Sequence, residues 1–147
     1  MAILARAAAI LALGVSCAGA ATAAEEAAEF APVSVPMEAV QVAPHSYYVR
    51  GQSGMISTAN EGFNSNAGFV VTPEGVVVFD ALGTPALGKR LAEVIAGKTP
   101  QPVRRVVVSH YHSDHFYGVQ AFARPDVEIL AHELVRDSRH GGATATA

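Results

Sequence analysis

Short apolar runs and period-two alternation predict four β-strands in the part of the chain that follows residue 36. Residues 37–43 alternate apolar and polar side chains, and residues 46–50 form a second short run after the turn at Pro44. Residues 67–72 and 76–80 are apolar runs joined by a Thr-Pro-Glu-Gly segment, whose Pro and Gly positions favour a type I turn and therefore a hairpin. The fourth run is apolar without alternation, which predicts a strand buried on both faces.

The next segment carries the clearest helical pattern in the sequence. Thr84 suits an N-cap, Pro85 suits the first helical position, and Gly97 suits the end of the helix. Between them, four apolar residues recur at i, i+4, i+7 and i+8 and define one face, namely Leu87, Leu91, Val94 and Ile95. The sequence therefore predicts an amphipathic helix that packs against the sheet.

Strands and helices alternate through the remainder of the chain. We predict a strand at residues 103–109, a short helix near residues 117–123, a strand at residues 127–131 and a helix at residues 132–139. Hairpin strands followed by β-α-β alternation are typical of a mixed sheet with helices packed on it, so the predicted fold class is α/β. The polar, glycine-rich residues 51–66 are predicted to form a long loop, of a length that is often functional.

The first 24 residues have the features of a cleaved signal peptide. One positive charge precedes a short apolar run, and small residues then supply an Ala-x-Ala-like cleavage site. The run is too short to span a bilayer, although an uncleaved anchor or an Ala-rich helix stays an alternative. We therefore expect a periplasmic or secreted protein, with a signal peptide at residues 1–24, a leader at residues 25–36, a domain at residues 37–140 and a flexible tail at residues 141–147.

The composition excludes several classes of function. The 147 residues carry 10 Lys+Arg and 13 Asp+Glu, a net charge of −3, and this balance argues against nucleic acid as a partner. The single cysteine excludes an intramolecular disulfide framework and a Cys-rich zinc module. Once the signal peptide is cleaved, we expect no membrane contact and a small-molecule substrate as the partner.

The candidate metal chemistry is concentrated directly after the strand predicted at residues 103–109. There a His-x-His-x-Asp-His motif is formed by His110, His112, Asp114 and His115. Residues i and i+2 of an extended segment point the same way, so the first two histidines can converge on one ion, and the following turn brings the second pair close to it. Imidazole and carboxylate are zinc ligands, and the second pair suits an adjacent second ion. A functionless His-rich surface loop is the alternative, but the spacing at the end of a strand favours a metal site.

The segment 106–115, Val-Val-Val-Ser-His-Tyr-His-Ser-Asp-His, resembles the metal-binding signature of the metallo-β-lactamase superfamily. Residues 66–71 and 76–81 resemble the strands that precede this signature, and residues 83–118 resemble an exported branch that includes quinoprotein-relay zinc metallohydrolases. The resemblance implies a zinc-dependent hydrolase in which a metal-activated hydroxide attacks an ester, thioester or amide-type centre. It selects no substrate among these classes, and the same ligands also serve iron or manganese.

The resemblance also implies roles for individual residues. His110 and His112 would bind the first zinc ion, and Asp114 and His115 the second. Asp114 would in addition orient the attacking hydroxide and take up a proton, which makes it the candidate catalytic residue. Asp80, at the end of its strand, matches an acidic residue of the superfamily, and we expect it to accept hydrogen bonds that orient the ligands. The alternative is an ordinary Asp that caps the next turn.

The resemblance covers only part of the superfamily fold, which is an αββα sandwich of two similar halves. Its second half supplies a further His, an Asp and a final His, whereas the present chain matches the N-terminal half. The remaining histidines, His45, His132 and His140, are predicted to be surface or structural.

Three hypotheses stay open: an enzyme with two zinc ions in the complete domain, a truncated fragment with a partial metal site, and an assembly completed by another chain. An uncovered sheet face would also favour self-association.

The loop at residues 51–66 also resembles a loop of the metallo-β-lactamase superfamily. Similar loops in the superfamily act as flaps over the site, and Met55, Ile56 and Phe63 would be the apolar residues of such a flap. A plain surface connection is the alternative.

Overall fold

The fold is built on a six-stranded sheet, which is seen in a computed structural model that describes residues 31–133 and 135. The strand order follows the chain. The strands are β1 (Ala39–Ala43), β2 (Ser46–Val49), β3 (Ala67–Thr72), β4 (Gly75–Phe79), β5 (Val103–Val108) and β6 (Glu128–Ala131). The first four pair antiparallel, whereas β5 pairs with β4 and β6 pairs with β5 in parallel. The mixed α/β sheet expected from the sequence is therefore confirmed.

Helical segments connect the parallel strands. α1 (Pro85–Ala96) joins β4 to β5, and α2 (Ser113–Phe116) and a 3₁₀ helix (Tyr117–Phe122) lie between β5 and β6. The short helix expected at residues 117–123 is thus a 3₁₀ helix, and helical backbone begins earlier, inside the His-rich motif. Within residues 31–133 and 135, no helix combines the length and apolar character needed to cross a bilayer.

α1 begins and ends as the sequence predicts. Thr84 Oγ1 accepts a hydrogen bond from Leu87 N at 3.1 Å, and Pro85 occupies the start of the helix, where its missing N–H costs no hydrogen bond. Gly97 is the C-cap, and its N–H donates to Glu93 O. The residues at the two ends of α1 were therefore sufficient to predict where this helix begins and ends.

The core lies between α1 and one side of the sheet. α1 contributes Leu87, Leu91 and Ile95, which are buried, and the central strands contribute inward residues at alternate positions, namely Phe69, Val76, Val78 and Val106. Val35 is also buried in this core, so the packed structure includes part of the segment that the sequence predicted as a leader. The predicted signal peptide, most of the C-terminal helix and the predicted tail lie outside the described residues.

The opposite side of the sheet is the open face, defined by Val40, Tyr48, Phe79 and Leu130. The strand register places these side chains in one row across the sheet. The prediction that the β4 run is buried on both faces is wrong, because α1 covers only one side of β4 and Phe79 on the other side is 45% exposed. The apolar run of β4 therefore does not indicate burial on both faces. Among the described residues, nothing covers the face of the strand that carries Phe79.

Candidate metal centre

The His-rich motif lies where β5 ends and α2 begins. Val108 is the last residue of β5, and His112 is the N-cap of α2 with extended backbone angles of φ −68° and ψ 135°. Asp114 and His115 lie on α2 itself, so the turn that the sequence predicted after His112 is a short helix. All four motif residues consequently lie beyond the carboxyl end of a buried parallel strand, which is where α/β sheets commonly place their sites.

The four motif side chains form two pairs of potential ligand atoms. His110 Nε2 and His112 Nδ1 lie 3.1 Å apart, and His115 Nε2 and Asp114 Oδ2 lie 3.7 Å apart. The two pairs are neighbours, because the ring centroids of His110 and His115 are 4.1 Å apart. The structure therefore brings together all four residues that the motif nominated.

Asp80 lies against this cluster from the end of β4. Its φ of +61° is in the left-handed region, which Asp tolerates better than most residues, and its side chain is buried. Asp80 Oδ1 accepts a hydrogen bond from Ser109 N, and Oδ2 accepts from Ser109 Oγ and His115 Nδ1, each at 2.8 Å. Because the partners are distant in sequence and belong to the motif segment, this geometry favours the orienting role of Asp80 over the turn-capping alternative.

Backbone hydrogen bonds attach the motif segment to the end of β4. Ala81 N donates to His115 O at 2.8 Å, and Gly118 N donates to Leu82 O at 2.9 Å. The packing beneath these bonds is close: a Cβ on Gly88 of α1 would lie 2.2 Å from Gly118 O. The position of the motif therefore depends on the contact between α1 and the 3₁₀ helix.

The long loop at residues 51–66 reaches Asp114. Ser65 Oγ donates a hydrogen bond to Asp114 O, and Asn64 Nδ2 lies 3.5 Å from Asp114 Oδ2. Asn64 Oδ1 is buried and has no hydrogen-bond partner in the part of the chain that the structure describes. Sequence reasoning missed Asn64, Ser65 and Ser109, because a single polar residue in a loop or at the end of a strand carries no spacing signal.

The same loop has a fixed base and an exposed tip. Phe63 is 1% exposed and belongs to the core, so its predicted place in a flap surface is wrong. The buried amide of Asn60 holds the turn: its Oδ1 accepts two backbone N–H groups, and its Nδ2 donates to Met55 O at 3.0 Å. Met55 and Ile56 are 88% and 63% exposed, and they supply the apolar surface of the loop.

The remaining histidines lie outside the His-rich motif. His45 lies in the turn between β1 and β2, and His132 follows β6; both are exposed. His140 lies outside the described residues. Their prediction as surface residues agrees with the exposure of the two that are described.

The donor set fits zinc as two pairs. Two ligand atoms of a tetrahedral zinc site with bonds of about 2.0–2.1 Å lie about 3.3–3.4 Å from each other. The separations of 3.1 and 3.7 Å in the two pairs fall on either side of this value. Among the described residues, no group of three or more His, Cys, Asp or Glu side chains is arranged to hold one ion. This part of the chain therefore offers two protein ligands for each ion.

Comparison with known families identifies the motif and its surroundings. A family model described as the metallo-beta-lactamase superfamily matches residues 60–142, which is more than half of the chain. This range contains the loop residues that contact Asp114, the hairpin, α1 and the whole His-rich motif. No curated protein sequence matches the chain.

Solved structures of metallo-β-lactamases have a similar fold. One from Hirschia baltica is 18% identical, with a TM-score of 0.60 over 73% of this chain and 48% of that chain. The mono-zinc form of FIM-1 from Pseudomonas aeruginosa is 17% identical, with a TM-score of 0.60 over 73% of this chain and 46% of that chain. A stereoselective inverting sec-alkylsulfatase, Pisa1 from Pseudomonas sp., is 24% identical, with a TM-score of 0.51 over 63% of this chain and 14% of that chain.

The chain spans about half the length of the two metallo-β-lactamases that it matches. The family model covers residues 60–142, which include β3 to β6 and the His-rich motif. The chain therefore belongs to the metallo-β-lactamase superfamily.

Proposed function

We propose that this chain is a zinc-dependent hydrolase that acts on an ester, thioester or amide-type bond of a small molecule. Membership of the superfamily supports metal-dependent hydrolysis in general terms. The observation that carries the zinc assignment is the arrangement of His110, His112, Asp114 and His115 as two adjacent pairs, with separations of 3.1 and 3.7 Å. Their nitrogen and oxygen donors are ligand types that zinc accepts.

His110 and His112 would hold the first zinc ion, and Asp114 and His115 the second. When bound, zinc supplies Lewis acidity, which lowers the pKa of a water molecule and polarises a carbonyl oxygen. Asp80 contributes by orienting the ring of His115, because its carboxylate accepts the Nδ1 hydrogen bond and directs Nε2 towards Asp114.

Asp114 is the residue we assign to proton transfer. Its side chain is 24% exposed, so a small molecule can approach the carboxylate, and its backbone is held by Ser65. A carboxylate in this position can orient a water molecule by accepting its hydrogen bond and can take up the proton that the reaction releases. The exposed loop tip at Met55 and Ile56 would then contact an apolar part of the substrate.

We also propose that the chain is exported by its N-terminal signal peptide and acts in the periplasm or outside the cell. The charged, apolar and small-residue order of residues 1–24 supports this proposal. The net charge of −3 supports a small molecule rather than nucleic acid as the partner. The row of partly exposed apolar side chains on the open face supports self-association.

The test is the metal content of the full chain, purified without chelator and measured by mass spectrometry. Three proteins are compared: the native chain, the His110→Ala/His112→Ala double variant, and His45→Asn. His45 is exposed, and its φ of +70° is a conformation that Asn tolerates, so His45→Asn removes an imidazole outside the motif without backbone strain. We expect near-stoichiometric zinc in the native chain and in His45→Asn, and loss of zinc in the double variant. Equal zinc in all three proteins, or none in the native chain, would contradict the proposal.

A second candidate function is metal binding without turnover. It is favoured by the two-ligand pairs, because catalytic zinc sites usually have three protein ligands and an open position. Incubating the zinc-loaded chain with an activated ester, a thioester and a β-lactam separates the two candidates. Turnover that is lost in the double variant supports the hydrolase, whereas stoichiometric zinc without hydrolysis of any of the three supports metal binding alone.

A further inference from the structure

Ser109 lies between Asp80 and His110, and its hydroxyl group contacts both. Ser109 Oγ is 2.8 Å from Asp80 Oδ2 and 2.8 Å from His110 Nδ1. Ser109 N also donates to Asp80 Oδ1 at 2.8 Å, so backbone and side chain are held by the same carboxylate. The residue is nevertheless exposed, which means that its side chain makes no contribution to the apolar core.

The protons in this chain of contacts can be assigned by counting donors. An ionised carboxylate only accepts, so the single hydroxyl proton of Ser109 is directed to Asp80 Oδ2. Ser109 Oγ can then only accept in its contact with His110, and His110 Nδ1 must be the protonated nitrogen of that ring. A neutral imidazole carries one N–H, so His110 Nε2 keeps its lone pair, and this is the atom that lies 3.1 Å from His112 Nδ1.

The same count of donors assigns the proton of His115, which contacts Asp80 directly rather than through Ser109. His115 Nδ1 lies 2.8 Å from Asp80 Oδ2 and must donate to it, which leaves His115 Nε2 with its lone pair on the side of Asp114. One carboxylate therefore specifies the tautomer of two histidines, one from each ligand pair: His115 directly and His110 through Ser109.

We propose that Ser109 is a positioning residue that fixes the proton of His110 on Nδ1 and thereby keeps Nε2 available to a metal ion. The inference rests on the proposed metal site for its consequence, but the tautomer itself is a property of the metal-free chain. Asp80 and Ser109 act as a two-part relay: removal of Ser109 affects His110 alone, and removal of the Asp80 carboxylate affects both histidines.

The experiment measures the two tautomers in the metal-free full chain labelled with ¹⁵N-histidine. Two-bond ¹H–¹⁵N correlation spectra distinguish the protonated from the unprotonated nitrogen of each ring. In the native chain we expect an Nδ1 proton on both His110 and His115. In Ser109→Ala the proton of His110 redistributes between its two nitrogens, because the Ser109 Oγ that accepts at Nδ1 is gone. His115 keeps its Nδ1 proton and serves as an internal control.

Two further variants keep the test decisive. Ser109→Thr retains the hydroxyl group, so we expect it to restore the native tautomer of His110. Ser113→Ala removes an exposed hydroxyl group from the same motif without touching the relay, and we expect it to behave as the native chain. Zinc affinity, measured by competition with a chromophoric chelator, should fall about tenfold in Ser109→Ala and stay unchanged in Ser109→Thr and Ser113→Ala.

The outcomes for Ser109 and for the metal site can be told apart. An Nδ1 proton that stays on His110 in Ser109→Ala would overturn the relay, and so would a Ser109→Thr variant that folds but shows a redistributed proton. If the native chain shows the expected tautomers but binds no zinc, the proposed function fails while the assignment of Ser109 stands.

Discussion

Replacing Gly118 with alanine should damage the fold and the proposed metal site together. Gly118 is buried in the 3₁₀ helix, and a Cβ at this position would lie 1.8 Å from Ala81 O and 3.0 Å from Thr84 O. Real Cβ contacts below 3.0 Å essentially do not occur, so the helix and the end of β4 would have to separate by about 1.2 Å, the difference between 3.0 and 1.8 Å. The obstructing atoms belong to the backbone and cannot rotate away as a side chain would.

The expected loss of stability follows from these contacts. Overpacking of a close contact costs about 1–3 kcal/mol, and the hydrogen bond from Gly118 N to Leu82 O, if broken, adds about 0.5–1.5 kcal/mol. A total of about 1.5–4.5 kcal/mol would lower the melting temperature by roughly 6 °C or more in a domain of this size. Zinc affinity should fall as well, because the displaced segment carries His115, whose carbonyl oxygen is bonded to Ala81 N.

The assay is urea unfolding of the full chain, followed by circular dichroism, with Gly97→Ala as the matched control. Gly97 is the C-cap of α1, where its φ is −71° and the nearest atoms to an added Cβ are 3.5 and 3.7 Å away. The control should therefore unfold within about 0.5 kcal/mol of the native chain. If Gly118→Ala were as stable as Gly97→Ala, the proposed close contact between the 3₁₀ helix and the end of β4 would be refuted.

Three further predictions test the core, the relay and the acid dependence of stability. Leu91→Ala should lower the free energy of unfolding by about 2–5 kcal/mol in the same urea assay, because the side chain is fully buried; a loss below about 1 kcal/mol would contradict its place in the core. Asp80→Asn should weaken zinc binding about 10–100-fold in chelator competition, since an amide offers one acceptor oxygen where the carboxylate offers two; unchanged affinity would count against its orienting role. The Ser34 hydroxyl and backbone N–H bonds lower the pKa of Glu61 below its ordinary value of 4.5. The stabilisation from ionised Glu61 is therefore present above the ordinary pKa and is lost as the pH falls through the lowered one. Ser34→Ala should reduce this acid dependence of unfolding, and an unchanged pH profile would contradict the assignment.

The elements that could be predicted from sequence are those whose causes lie within a few residues of one another. The cap at Thr84, the proline that follows it and the spacing of Leu87 and Leu91 act within one helix, so their meaning does not depend on the rest of the chain. The same holds for the antiparallel hairpin of β3 and β4, which has a four-residue turn. The four motif residues could be nominated as ligands because they lie within six positions.

Other features could not be predicted because their causes lie in distant parts of the chain. Phe79 and Phe63 are both apolar, yet one is 45% exposed on the open face and the other is buried in the core. Residue type favours burial for both, but which of them is covered depends on the side of the sheet on which α1 packs.

The candidate metal centre also combines features with local causes and features whose causes lie in distant parts of the chain. The spacing of the motif predicted which residues could bind zinc, since adjacent residues are close together in any fold. The role of Asp80 as an acceptor for His115, the insertion of Ser109 between Asp80 and His110 and the contact of Ser65 with Asp114 arise only when β4, β5 and the long loop are packed together. Hydrogen bonds between residues tens of positions apart are formed by tertiary packing, and no local pattern of side chains encodes them.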